Sequence, residues 1–188
     1  MKPVDELSEP EARNELDRLA TEIPGAFKPN QYQNPMNPEA HVRSTGPELW
    51  EQTGGRITHF VAGLGTTGTF VGTTRRLKEL NPAIECLSFQ PDSPLHGLEG
   101  MKHLETAIVP GIWDPGSPDR ELWATTEESY AMVKRLAREE GLFVGISAGA
   151  AVAMALKVAA TLEHGGTVVT ILCDGADKYL SERFWDED

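Results

Sequence analysis

Cysteine is scarce in this chain. Cys86 and Cys173 are the only two, and there is no Cys-x-x-Cys pair. That excludes a disulfide framework and a cysteine-rich zinc module. Both thiols sit in apolar, strand-like runs and are expected to be reduced core residues. Positive charge is also short: 17 Lys and Arg stand against 29 Asp and Glu, a net of −12. Sequence-independent binding to nucleic acid or to an anionic membrane needs a basic surface, so both are excluded as expectations. No apolar run is long enough to cross a bilayer and no signal peptide opens the chain, so a cytoplasmic protein is expected. The histidines His41, His59, His96, His103 and His164 have no metal-ligand spacing. His59 reads as buried in a strand, and His96 and His103 as solvated loop residues.

What remains is enough for one domain of ordinary size: 188 residues, 39% of them hydrophobic. Periodicity and breakers predict a surface helix from near Ser8 to Glu22, ended by Pro24-Gly25. An Asn-, Gln- and Pro-rich loop follows, then a single helix over 38–52, stopped by Thr53-Gly54-Gly55. Strands are expected at 56–62, 83–89, 121–124 and 167–173. Between them lie helices ending near Leu80, running from Thr125 to Glu140 with Gly141 as the C-cap, and covering 150–162. An irregular proline- and glycine-rich stretch over 91–118 reads as a functional loop or lid. Trp185-Asp186-Glu187-Asp188 makes an acidic tail. The alternation of strand and helix predicts an α/β fold of three layers with a mostly parallel sheet. Ligands bind such sheets at the carboxyl ends of the strands. Three turns lie there, at 63–69, 145–149 and 174–177, and are expected to converge on one site.

The first of these turns carries the chemistry. A buried strand runs into Gly63-Leu64-Gly65-Thr66-Thr67-Gly68-Thr69 and then into a helix. Glycines let the backbone turn sharply and approach a ligand, and the amides at a helix start attract anions. Thr66, Thr67 and Thr69 add three hydroxyl donors. The result is a phosphate cup for a phosphorylated cofactor or substrate. Gly63-x-Gly65-x-x-Gly68 also matches the dinucleotide fingerprint, which keeps an NAD-dependent oxidoreductase as an alternative. That reading wants an acidic residue at the end of the next strand, where Gln90 stands instead. Gly145-Ile146-Ser147-Ala148-Gly149 mimics the nucleophile elbow of serine hydrolases, but His164 is the only histidine that follows it. Ser147 could also cap its helix, or face a ring nitrogen of a cofactor.

Taken together, several stretches resemble the cysteine synthase and cystathionine β-synthase family. They are Asn30-Gln31-Tyr32-Gln33-Asn34-Pro35-x-Asn37-Pro38-x-Ala40-His41, Thr45-Gly46-Pro47-Glu48-x-Trp50 and Gln52-Thr53-Gly54-Gly55. Gly65-Thr66-Thr67-Gly68-Thr69, Gly145-Ile146-Ser147-Ala148-Gly149-Ala150 and Cys173-Asp174-x-x-Asp177-x-Tyr179-Leu180-Ser181 complete the set. Within the family the chain resembles the cysteine synthase B type. The motifs run in order from about Phe27 to Ser181. The resemblance implies a pyridoxal 5′-phosphate enzyme of fold type II, the tryptophan synthase β-like fold. It implies that Gly65, Thr66, Thr67, Gly68 and Thr69 hold the cofactor phosphate and that Ser147 meets the pyridine nitrogen. It implies that Gln31 helps to hold the substrate carboxylate, and that the loop over 94–111 borders the substrate entrance. The implied reaction is β-replacement: L-cysteine from O-acetylserine, or a relative, and a sulfur donor.

One departure from that family pattern is large. The family's Schiff-base lysine, in a Ser-x-Lys-Asp-Arg-like segment, and its Ser-Gly-Asn-Thr carboxylate loop are absent from this sequence. Lys2, Lys28, Lys78, Lys102, Lys134, Lys157 and Lys178 have no such context. No residue of the chain is therefore assigned as catalytic. The chain is expected to cover the carboxyl-terminal part of the fold, with residues 1–33 a remnant of the smaller domain and 34–188 the larger, cofactor-binding one. Such an incomplete sheet would expose apolar edges and residues 152–158, which predicts aggregation or tight association. The expected partners are the amino-acid substrate, the sulfur donor, and either a second copy or a complementing chain with the amino-terminal half. An alternative is a catalytically inactive remnant that binds a phosphorylated ligand or another protein.

Overall fold

A computed structural model describes residues 9–186. Ser8, at the expected start of the first helix, Lys2, and the last two residues of the acidic tail lie outside the described residues. The chain runs α1 (Glu9–Glu22), α2 (Met36–Arg43), α3 (Thr45–Gln52), β1 (His59–Gly63), α4 (Gly68–Leu80) and β2 (Glu85–Pro91). It continues through β3 (Arg120–Ala124), α5 (Thr126–Arg135), α6 (Ile146–Ala159) and β4 (Val168–Thr170). The four strands form one parallel sheet in the order β3-β2-β1-β4.

Alternation along the strands divides the core into two layers. Phe60 and Ala62 of β1 and Cys86 of β2 pack with Phe70 and Leu77 of α4. Val61, Leu87 and Phe89 face the other way, against Ala150, Ala151 and Met154 of α6 and Val133 of α5. Both faces are thus covered, which is why these strands read as continuous apolar runs. The expected three-layer α/β arrangement is the observed one.

Several elements differ from the sequence expectation. The single helix over 38–52 is two helices, broken at Ser44, whose φ of −120° is not helical. The cause is Pro47. Inside a continuous helix its ring would collide with the Arg43 carbonyl. Restarting at Thr45 puts Pro47 in a first turn, where no amide hydrogen is needed. The last strand is three residues long, and Cys173 lies beyond it, exposed, while Cys86 is buried as expected. Residues 152–158 are not an exposed face. α6 is packed between sheet and α5, with Ala153, Met154 and Val158 buried and Leu156 turned outward.

The helix from Thr125 opens with a capping box. The Glu128 amide donates to Thr125 Oγ1 at 3.1 Å and the Thr125 amide donates to Glu128 Oε1 at 2.8 Å. It widens into a π-turn over Leu136–Glu140 before Gly141 ends it with a φ of 67°. Past Pro91, which ends β2, the expected loop has no regular element over 92–118, but it is pinned to the strand ends. The Lys102 amide donates to the Leu64 carbonyl, and the Leu104 amide to Gln90 Oε1, both at 2.8 Å. His103 is buried there with Nδ1 2.9 Å from Thr106 Oγ1, not solvated. His59 is mostly covered and meets Glu85 at 3.3 Å. Among the described residues no helix is long and apolar enough to cross a membrane.

Candidate functional site

β1 ends at Gly63, and the chain turns through Leu64 to Thr67 into α4. Gly65 is required by close approach: a Cβ there would overlap the Gly100 carbonyl oxygen. Thr67 has a φ of 72°, in the left-handed region. A β-branched residue is strained there, and such strain gathers at ligand clamps. Thr67 Oγ1 is buried and has no hydrogen-bond partner. A buried hydroxyl without a partner costs about 1–3 kcal/mol, which an anion at this spot would relieve. α4 starts from the same turn, where the helix dipole favours negative charge, and its first amide, Gly68 N–H, donates to Thr66 Oγ1 at 3.4 Å. The N-cap residue, Thr67, makes no side-chain capping bond.

α2 supports the cup from behind. Asn37 Nδ2 donates to Thr66 Oγ1 at 3.1 Å and to the Gln31 carbonyl at 2.8 Å. His41 Nε2 lies 3.2 Å from Thr69 Oγ1, and its Nδ1 lies 2.8 Å from Thr45 Oγ1. Burial pushes the His41 imidazole down from its usual range. Gly68 and Gly72 let α2 come this close, since a Cβ at either would overlap Asn37 or the Pro38 carbonyl.

The second and third turns meet the first. Gly145 is the N-cap of α6, with no side chain capping it, so Ser147 is free of that role. The Gly145 amide donates to the Asp174 carbonyl at 3.0 Å. Asp174 Oδ2 accepts from the Tyr179 hydroxyl at 2.8 Å, while Oδ1 is buried and unpartnered. Burial, then the Asp174 hydrogen bond and charge, push the Tyr179 phenol up to about 12. The three turns enclose a cavity of about 580 Å³, walled by Gly65, Thr66, Thr67, Thr69, Ser147 and Asp174 among others. That is a small-ligand volume. Gly68 does not line it. Gln31 does not line this cavity. Its side chain borders a neighbouring one with Arg13 and Tyr32, and only its carbonyl is tied to the cup through Asn37.

Two alternatives lose support. His164 lies past the far end of α6, about 20 Å from Ser147 by helix rise, so no serine–histidine pair forms. Gln90 is buried and occupied by the Leu104 amide, so nothing stands where a dinucleotide ribose would want a carboxylate. Cys173 is not a core residue, since it is exposed and lines the main cavity. No group of three His, Cys, Asp or Glu among the described residues is placed to hold a metal. Asn37, His41, Asp174 and Tyr179 were visible only as parts of motifs. The Asn37–His41 spacing of four, one helical turn, was the available signal for a shared face.

Residues 4–174 match the family described as pyridoxal-phosphate dependent enzyme. A cysteine synthase of Aquifex aeolicus is 48% identical over 161 residues, covering 84% of this chain and 49% of its own length. Cysteine synthase B of Pseudomonas aeruginosa is 43% identical over 175 residues, covering 93% of this chain and 58% of its own. The crystal structure of the O-acetylserine dependent cystathionine β-synthase of Helicobacter pylori superposes with a TM-score of 0.87 at 37% identity. It covers 96% of this chain and 60% of that one. The chain thus spans about half the length of the curated relatives it matches.

Proposed function

The chain belongs to the family of pyridoxal-phosphate dependent enzymes, and from that premise we propose that it forms the cofactor-holding part of a cysteine synthase. The reaction assigned is β-replacement on O-acetylserine, or a close relative, by a sulfur nucleophile, giving L-cysteine. The buried, unpartnered Thr67 hydroxyl in a strained turn at the start of α4 carries the reading. It is a donor set aside for a ligand oxygen. Gly65, Thr66, Thr67, Gly68 and Thr69 would hold the phosphate, with backbone amides and hydroxyls supplying the donors. Ser147 would present a neutral hydroxyl to the pyridine nitrogen, which suits elimination and replacement at the β-carbon. Gln31 would serve the substrate carboxylate, its backbone held against the cup by Asn37.

Pyridoxal phosphate, when bound, supplies the electron sink for that chemistry, and the protein supplies orientation and electrostatics. The family also uses a lysine as anchor and base. The described lysines do not offer one in a supporting context. Lys28, Lys78 and Lys157 are paired with Asp17, Asp119 and Glu128, and Lys178, at the cavity wall, faces Asp174 at 3.7 Å. The lysine is therefore assigned to residues outside this sequence, either in the same polypeptide or in a complementing chain. In domain terms, residues 1–33 belong with that smaller part and 34–188 form the larger, cofactor-binding one.

Cysteine formation from O-acetylserine and sulfide tests the proposal. The chain alone is expected to turn over poorly, and addition of the amino-terminal half of the Aquifex aeolicus relative to raise the rate. Cofactor binding without any gain in turnover would instead favour an inactive ligand-binding remnant. The ion-paired state of Lys28, Lys78 and Lys157 is the observation that keeps that second reading.

A further inference from the structure

We infer that Asn37 and His41 are positioning residues that fix the direction in which the cup hydroxyls donate, making the cup selective for an oxyanion that can only accept hydrogen bonds. The inference rests on the phosphate-cup reading above and adds the device that enforces it.

A threonine hydroxyl has one hydrogen to donate and two lone pairs to accept with. At Thr66 both acceptor positions are taken. The Asn37 amide nitrogen donates from 3.1 Å and the Gly68 backbone amide from 3.4 Å. An amide nitrogen has no acceptor capacity, so the Thr66 hydrogen is spent elsewhere, and the cavity is the side it lines. At Thr69 the partner is His41 Nε2, at 3.2 Å, and the far side of that ring is held by Thr45 Oγ1 at 2.8 Å. The half-buried ring favours its neutral form, so one nitrogen donates and the other accepts.

Only one arrangement leaves the Thr69 hydrogen for the cup. His41 Nε2–H donates to Thr69 Oγ1, and the Thr45 hydroxyl donates to bare Nδ1. The opposite tautomer would turn Thr69 away from the ligand. Thr67 Oγ1, buried on the same turn and without a protein partner, keeps a third hydrogen uncommitted. A phosphate monoester dianion offers acceptors only and meets all three. A ligand group bearing its own hydrogens would set donor against donor.

The test compares pyridoxal 5′-phosphate with pyridoxal, which lacks the phosphate, by equilibrium binding to the full chain. Wild type is expected to prefer the phosphorylated form. His41→Leu is expected to weaken pyridoxal 5′-phosphate roughly tenfold, the loss of one well-aimed charge-assisted donor, and to leave pyridoxal unchanged. His41→Gln, which keeps an amide donor, is expected to recover most of that loss. His41→Leu combined with Thr69→Val should bind no worse than Thr69→Val alone. Nitrogen-15 spectra of wild type with inorganic phosphate are expected to report the proton on Nε2, a readout independent of how the variants fold.

Independent, additive losses in the double variant, no rescue by Gln, or a proton on Nδ1 would overturn the positioning role while leaving the cup in place. Failure of wild type to prefer the phosphorylated form would overturn the cup reading itself, and the inference with it.

Discussion

The Tyr179 hydroxyl donates to Asp174 Oδ2 at 2.8 Å, while Oδ1 of the same carboxylate is buried with no partner. Tyr179→Phe removes the ring donor from this partly buried carboxylate, which also faces Lys178 Nζ at 3.7 Å. It is expected to cost about 1.5–3 kcal/mol in urea denaturation, the range for a hydrogen bond to a charged group. The raised phenol adds a pH signature. A proton held more tightly in the folded state gives stability that is present below the ordinary tyrosine value, near 10, and is lost as pH rises toward about 12. Wild type should lose stability across that alkaline window and the Phe variant should lose less. Identical slopes would refute the linkage.

Asp119 gives the opposite edge of the pH profile. Its Oδ2 accepts from the Cys86 amide at 2.7 Å and faces Lys78 Nζ at 2.6 Å. Burial pushes its carboxyl up, but the Cys86 amide and the Lys78 ammonium more than reverse this and hold it below the usual carboxylate range. A lowered carboxyl stabilises the fold above its ordinary value, near 4, and that contribution is lost as pH falls further. Asp119→Asn is expected to flatten the acid limb of the midpoint-versus-pH curve. An unchanged acid limb would place the pair in solvent, where it contributes little.

Gly65→Ala separates space from conformation. Its Cβ would overlap the Gly100 carbonyl oxygen, and backbone does not move aside cheaply. The expected loss is about 1–3 kcal/mol together with weaker pyridoxal 5′-phosphate binding. Gly100→Ala meets nothing within 4 Å, but Gly100 has a φ of 79°. It should cost about 1 kcal/mol through backbone strain alone. A Gly65→Ala protein that binds like wild type would show that the loop can retreat.

The outer edge of β4 is unpaired among the described strands, and Phe143, Leu156, Leu172 and Leu180 are 49%, 46%, 40% and 64% exposed. Such surfaces recruit other chains. Light scattering is expected to find self-association, or a stable complex when an amino-terminal half is supplied. A monodisperse monomer at high concentration would contradict this.

The sheet was legible because both of its faces are buried: β1 and β2 announce themselves as unbroken apolar runs, and the glycines after β1 mark the turn. Strand bounds moved by about two residues, since pairing to a neighbour sets where a strand stops and single-chain patterning does not. The break at Ser44 was legible in principle from Pro47. Convergence of the three turns followed from the rule for parallel sheets. The work of Asn37 and His41 was not legible. A helix face is visible in spacing, but what it faces is decided by α4, more than 20 residues along the chain. His103 misled because a loop histidine is ordinarily solvated, whereas this one is enclosed by a pinned loop.

The pairing of β1 with β4 sets the order in which the molecule can be built. Thr58 and Thr167 share hydrogen bonds across a separation of 109 residues, whereas β1 and β2 are joined by a single helix. Closing the longer loop carries the greater entropic penalty, so it should come late. Pulse-labelling hydrogen exchange is expected to protect β1, α4 and β2 first and β4 last. A nascent chain on the ribosome would then hold β1 and α4 with one side of β1 bare until Val168–Thr170 had emerged.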